Sequence, residues 1–327
     1  MTRLTRFLPT VLGLAGLTSL AAFAQGGAAA SAPFPSKAIT IVVGSSPGST
    51  TDGLARAIGA EITAATKVPV VVENKAGASG GIAAQSVARA APDGYTLFIT
   101  TNTTQAANPH LFRKLAYDPV KDFAPVGALV KGYLLLVTNP RIAARNVTEL
   151  SAIARKQPLT FGAGSSSARV AAELFQQMTQ TQLTYVPYKA NPQAMVDLVG
   201  GQVDLMIVDL TTSLPQVKAG KLKALGVSSP SRSPLVPELP TIAEAGLPGY
   251  EISYWNAVYA PAGTPAPVVE RINALMRKAM TAEPVKRFVE QNGMEPFTSS
   301  PSELASFQAA EYKRWGAVIK TAGIQPE

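Results

Sequence analysis

Short β-rich runs alternate with helical patterns along almost the whole chain. A polypeptide with that rhythm folds as an α/β protein with parallel strands joined by crossover helices. Runs at 38–43 (AITIVV), 68–73 (VPVVVE), 95–100 (YTLFIT) and 129–138 (LVKGYLLLVT) read as strands, with helices expected over 52–63 and 80–90. A helix at 147–155, a strand at 159–161, a helix at 169–179 and a strand at 183–186 follow. Then come a helix at 192–200, strands at 203–208 and 224–228, and helices at 265–281, 282–292 and 301–322. No repeat of solenoid or propeller length interrupts the series.

Composition removes most hard chemistry. The 327 residues contain no Cys and one His, which excludes disulfide scaffolds, thiolate metal sites, cysteine nucleophiles and multi-histidine metal centres. At 46% hydrophobic and 15% charged, the chain is too apolar for intrinsic disorder. The net charge of +8 is spread along the chain without a basic, aromatic-interleaved cluster, so no nucleic-acid partner is expected.

The N-terminus reads as an export signal. Arg3 and Arg6 precede an uncharged stretch, and Ala22-Phe23-Ala24 offers a small-x-small cleavage site, giving a signal peptide over 1–24. Residues 25–33 (QGGAAASAP) form a flexible leader. No later stretch reaches the ~18 apolar residues of a membrane span, so a soluble periplasmic protein, not inserted in a membrane once processed, is expected. The remaining length favours two domains over a single core.

In such sheets, binding residues occupy loops at the carboxyl ends of strands. Three loops in that position are rich in Gly and hydroxyl residues: 44–52 (GSSPGSTTD), 75–81 (KAGASGG) and 162–169 (GAGSSSAR). Each leads into a helix, whose first N–H groups carry partial positive charge and can hold an anion. The same Ser, Thr and Asp residues could instead simply cap helices. The first loop nominates Ser45, Ser46, Gly48, Ser49, Thr50 and Asp52, and the second Ala78, Ser79 and Gly80. The third loop nominates Gly164, Ser165, Ser166, Ser167 and Arg169. Thr101 and Asn102 follow the 95–100 strand, Tyr188 and Lys189 the 183–186 strand, and Asp209 the 203–208 strand.

Enzyme motifs fit this chain poorly. Gly77-Ala78-Ser79-Gly80-Gly81 fits the G-x-S-x-G elbow, but the single His110 and the turn residue Asp93 make a poor triad. Gly162-x-Gly164 lacks the third Gly and acidic partner of a dinucleotide fingerprint, and no phosphate-binding G-x-x-x-x-G-K-[ST] is present. No catalytic residue, metal or cofactor is assigned.

Several segments resemble the Bug-type extracytoplasmic solute receptors, the substrate-binding proteins of tripartite tricarboxylate transporters. They include 72–80 (VENKAGASG), 92–97 (PDGYTL), 117–126 (YDPVKDFAPV), 186–189 (VPYK), 200–204 (GGQVD), 239–246 (LPTIAEAG) and 260–265 (APAGTP). The resemblance spans residues 34 to about 324. It implies a two-lobed, Venus-flytrap binding protein, with no catalysis, that captures a small organic carboxylate for membrane permease subunits. A carboxylate receptor feeding a sensor kinase and a hydrolase using the same cleft are the alternatives. A monomer is expected. Two strands should cross between the lobes, within 129–138 and 253–260, giving lobe 1 as 34–130 with 258–327 and lobe 2 as 131–257.

The chain departs from the family pattern where the third loop often ends in His. Arg169 stands there, four residues before Glu173-Leu174-Phe175. Its guanidinium could fork onto a ligand carboxylate or face away from the cleft. Asp209 could meet a ligand ammonium or hydroxyl, or cap the helix that follows. Trp255 could wall the cleft or pack at the hinge.

Overall fold

The computed structural model describes residues 34–327. The signal and leader expected over 1–33 lie outside the described residues. The first part of the fold runs β1 (Ile39–Val43), α1 (Thr50–Thr66), β2 (Val70–Asn74), α2 (Gly81–Ala88), β3 (Thr96–Thr101), α3 (Asn108–Leu111) and β4 (Phe123–Thr138). The middle comprises α4 (Val147–Lys156), β5 (Leu159–Ala163), α5 (Ser166–Thr179), β6 (Leu183–Pro187), α6 (Asn191–Val199), β7 (Leu205–Asp209), α7 (Leu210–Lys218) and β8 (Lys223–Val227). The last part is β9 (Ser253–Pro261), α8 (Ala266–Met280), α9 (Glu283–Gln291), β10 (Met294–Pro296) and α10 (Pro301–Thr321).

Local chemistry sets the boundaries. The Ser49, Ser165 and Ser300 side chains each accept from a first-turn backbone N–H, and Ser300 forms a reciprocal capping box with Glu303. Helix α1 stops where Lys67 turns left-handed (φ 60°), and α5 where Gln180 does so (φ 52°).

The strands form one ten-stranded sheet in the order β2-β1-β3-β9-β4-β7-β5-β6, with β8 and β10 also on β4. β1 is parallel to β2 and β3, and β5 to β6 and β7. β4 and β9 run antiparallel to their neighbours, so these two crossing strands make the otherwise parallel sheet mixed. These two strands carry the chain between the halves and, having only antiparallel partners, need no crossover helix. β4 pairs with β9 through Tyr133 and with β7 from Leu134, so it changes halves at that step. The chain returns at Ile252, whose N–H donates to Ser228 O, and at Ser253, which pairs with Tyr133.

Three elements differ from the sequence reading. β4 starts at Phe123 and not near 129, and register shifts at Pro125–Gly127 and Ala128–Val130 accommodate a proline and a glycine within the strand. A π-helical turn at Thr103–Ala107 runs into α3, and the three-residue β10 closes an edge of β4. No helix of the described residues is long and apolar enough to cross a membrane.

Helix α10 is anchored on β9 by a buried carboxylate. Glu311 Oε2 accepts from Trp255 Nε1 at 3.0 Å and Trp315 Nε1 at 3.2 Å, while Arg314 Nη1 stands 3.3 Å from Oε1. Trp255, fully buried and edge-on to Phe307, therefore packs beneath α10 and does not wall the cleft. Glu311→Ala strands two buried indole N–H groups and should cost about 2–4 kcal/mol of stability, read as a lower urea midpoint. Glu311→Gln keeps an acceptor and should lose less.

Candidate functional site

The carboxyl ends of both parallel strand sets point towards the seam between the halves. From β1 the chain turns through 44–49 into α1, with Ser45 Oγ and Ser49 Oγ 2.6 Å apart. Asp52 faces inward and ties this loop to the fold, accepting from Gly48 N (2.9 Å), Asn74 Nδ2 (2.9 Å) and Arg56 Nε (3.0 Å). Burial pushes its pKa up, but the bonds from Arg56, Gly48 and Asn74 outweigh that and leave it below the usual carboxylate range. Its stabilisation is therefore present above the unfolded-state pKa and fades as pH falls through the lower folded value.

In the second loop Ala78 and Ser79 are both left-handed (φ 47° and 49°), a conformation costing about 1–2 kcal/mol per non-glycine residue. This bend brings Ser79 and Gly80 against the first loop. A Cβ on Gly44 would stand 2.9 Å from Gly80 Cα. The third loop is tighter still, since a Cβ on Gly164 would meet the Ala190 backbone at 2.0 Å. Only glycine lets the loop after β5 lie against the turn after β6. There Asn191 Oδ1 accepts from Gly164 N at 2.9 Å.

These loops enclose a cavity of about 100 Å³. Of the residues nominated from sequence, Ser45, Ser49, Thr50, Ser79 and Gly80 line it from the first half, with Thr101. Gly164, Ser165, Ser167 and Asp209 line it from the second. The first-turn N–H groups of α1 (Thr50, Thr51) and α5 (Ser166, Ser167) have no carbonyl partner inside their own helices and carry partial positive charge. Asp209 alone among the lining side chains is charged.

The two halves also bond directly to each other around the cavity. Thr50 Oγ1 donates to Asp209 Oδ1 at 2.7 Å, Ser166 Oγ to Asn108 Oδ1 at 2.6 Å, and Asn102 Nδ2 to Ser167 Oγ at 3.2 Å. This is a closed arrangement.

Other nominated residues do not line the cavity. Ser46 and the exposed, left-handed Gly48 shape the first loop, Asp52 braces it, and Ala78 is exposed at the bend. Asn102 and Ser166 are buried in the bonds across the seam. Tyr188 donates to Asp197 Oδ2 at 2.6 Å, and burial together with that carboxylate pushes its pKa up to about 12. Lys189 is exposed. Arg169 lies about 200° round the helix from Ser167. Its guanidinium sits 4.7 Å over the Tyr185 ring, with Nη1 paired to Glu327. Asp209 lines the cavity and is also the cap of α7, accepting from Thr212 N at 2.9 Å.

Several lining residues escaped the sequence reading. Asn191 opens α6 directly after β6 and obeys the same strand-end rule, while Thr100, Thr103 and Thr104 extend the Thr101 run. Leu134 and Tyr254 come from the crossing strands, where nothing in the sequence marks them. His110 packs on the Tyr312 ring and its Nε2 lies 2.9 Å from Tyr312 O, so Ser79 has no histidine beside it in the cavity. Among the described residues no His, Cys, Asp and Glu cluster could hold a metal.

The family model described as "Tripartite tricarboxylate transporter family receptor" matches residues 54–324. The chain is 37% identical over 293 residues to the UPF0065 protein in the tcbD-tcbE intergenic region of Pseudomonas sp. (strain P51), covering 88% of this chain and 86% of that one. Rpa4515 of R. palustris, solved with adipate, has a TM-score of 0.87 at 37% identity, covering 90% of this chain and 100% of that one. MatC (Rpa3494) from Rhodopseudomonas palustris, solved with malate, has a TM-score of 0.82 at 33% identity, covering 88% and 100%.

Ser166→Ala should weaken ligand binding by about 1–2 kcal/mol, because it strands Asn108 Oδ1 in the closed form. Arg169→Ala should change affinity by less than about 0.5 kcal/mol, since the guanidinium is turned from the cavity. Calorimetry on both variants checks the pair.

Proposed function

Because the chain belongs to the family of tripartite tricarboxylate transporter receptors, we propose that it closes two lobes over a small organic carboxylate in the periplasm and delivers it to the membrane subunits of a tripartite permease. The lobes are residues 34–130 with 258–327, and residues 131–257. The chain is exported by a signal cleaved near Ala24. Members of this family are solute receptors, and the chain is not an enzyme.

One observation carries the ligand class. Two helix starts, one from each half of the sheet, open into a single cavity with a rim of Ser and Thr. Unpaired helix-start N–H groups and hydroxyls are donors, and a carboxylate satisfies several at once without a cationic side chain. The adipate in Rpa4515 and the malate in MatC support a carboxylate here. Ser45, Ser49, Thr50, Ser79, Gly80, Thr101, Gly164, Ser165, Ser167 and Asp209 form the ligand-facing set. Because each half supplies part of the site, a ligand held by both favours the closed form and shifts the population towards it.

Native mass spectrometry of protein purified from the periplasm without refolding should reveal a retained carboxylate, and a sugar or a metal complex would overturn the reading. At 100 times Kd the ligand should stabilise the fold by about 2.7 kcal/mol, seen as a higher Tm. Small-angle scattering should give a smaller radius of gyration with ligand than without. An unchanged radius at proven saturation would defeat capture by lobe closure.

A further inference from the structure

One tyrosine in the cavity wall carries a hydroxyl that the protein itself does not use. Tyr254 is 5% exposed and lines the cavity. It pairs with Gly132 across β9 and β4, and Asp209 pairs with Leu134 across β7 and β4. Residues two apart on a strand share a face, so Tyr254, Leu134 and Asp209 stand together on the cavity side. The ring leans over β4 into the gap that Gly132 leaves, since a Cβ there would stand 2.5 Å from both Cζ and Oη. Buried tyrosine hydroxyls usually find a partner. Tyr117 donates to Thr104 O at 2.9 Å and Tyr250 to Ala171 O at 2.8 Å, while Tyr259 is sealed in the core beside Gln105. The Tyr254 hydroxyl bonds to none of the described residues and, unlike that of Tyr259, is not sealed in.

Burial and the Asp209 charge push the pKa of this phenol well above its usual value, so the hydroxyl keeps its proton and remains a donor. A phenylalanine would fill the same space without the cost of burying an unpaired hydroxyl. We propose that Tyr254 is a ligand-binding residue whose hydroxyl donates to an oxygen of the bound carboxylate. This rests on the carboxylate-receptor reading and adds to it a donor from β9, the strand by which the chain returns between the halves. No Lys or Arg lines the cavity, so the ligand's oxygens depend on neutral donors such as this one. A hydrogen bond to a charged acceptor is the stronger kind, and removing its donor is correspondingly felt.

The test is calorimetry of the wild-type chain and Tyr254→Phe with malate, succinate, adipate, glutamate and benzoate. For each acid that the wild-type chain binds, Tyr254→Phe should raise Kd at least fivefold. The variant keeps the ring over Gly132 and removes no bond within the protein. Its ligand-free Tm should therefore equal or exceed the wild-type value, which separates a lost ligand contact from a damaged fold. A Kd within twofold of wild type, or a ligand-free Tm lowered by several degrees, would overturn this inference and leave the carboxylate reading standing. Binding of none of the acids by the wild-type chain would overturn both.

Discussion

Strand β4 is the constraint on which the rest of the molecule depends. Its sixteen residues form one unbroken strand, yet the first part pairs with β9 and β10 and the last five residues with β7 and β8. Two half-sheets sharing a strand are held in fixed order, and their parallel strands direct their carboxyl ends at a common seam. Beside the handover, a Cβ on Gly132 would stand 2.5 Å from the Tyr254 ring. Tyr254 lines the cavity, so the strand that joins the halves also carries part of the cavity wall on its antiparallel neighbour. Opening must be absorbed near Tyr133–Leu134 and Ile252–Ser253, where the chain leaves one ladder for the other.

Strand-end loops meeting at a seam carry backbone groups that the sheet does not satisfy, and the sequence meets that need with short polar residues. Ser49 and Ser165 each cap a helix while lining the cavity, and Asp209 does the same for α7. Capping and binding are therefore not competing explanations for these residues. A helix start has several orphan N–H groups, and one side chain satisfies only one of them. The remainder stay available to an anion in the cavity.

The alternation of strand and helix was legible in the sequence because β-branched runs and caps are local signals. The loops were legible for the same reason, and Ser49, Ser165 and Ser167 line the cavity as the strand-end rule expects. Arg169 was not, because the direction of a side chain at a helix start depends on rotation about the axis and on a distant partner, Glu327. Asn102 and Ser166 could be placed near the seam but not assigned to bonds across it, since their partners lie about 60 residues away in sequence. Leu134 and Tyr254 carry no mark at all: a strand residue reads as core until the packing of two half-sheets leaves a cavity beside it.

The direct bonds across the seam also bear on how tightly such a site can hold its ligand. Thr50 to Asp209, Ser166 to Asn108 and Asn102 to Ser167 are formed by the closed protein itself. In the open form those same groups face water, so each bond contributes only about 0.5–1.5 kcal/mol net. Closure is thus biased by a modest amount, and the ligand supplies the remaining difference between the two states. A guanidinium aimed into the cavity would deepen binding and slow release. A receptor that must release its cargo is better served by neutral hydroxyls and helix-start amides, and these dominate the polar lining of this cavity.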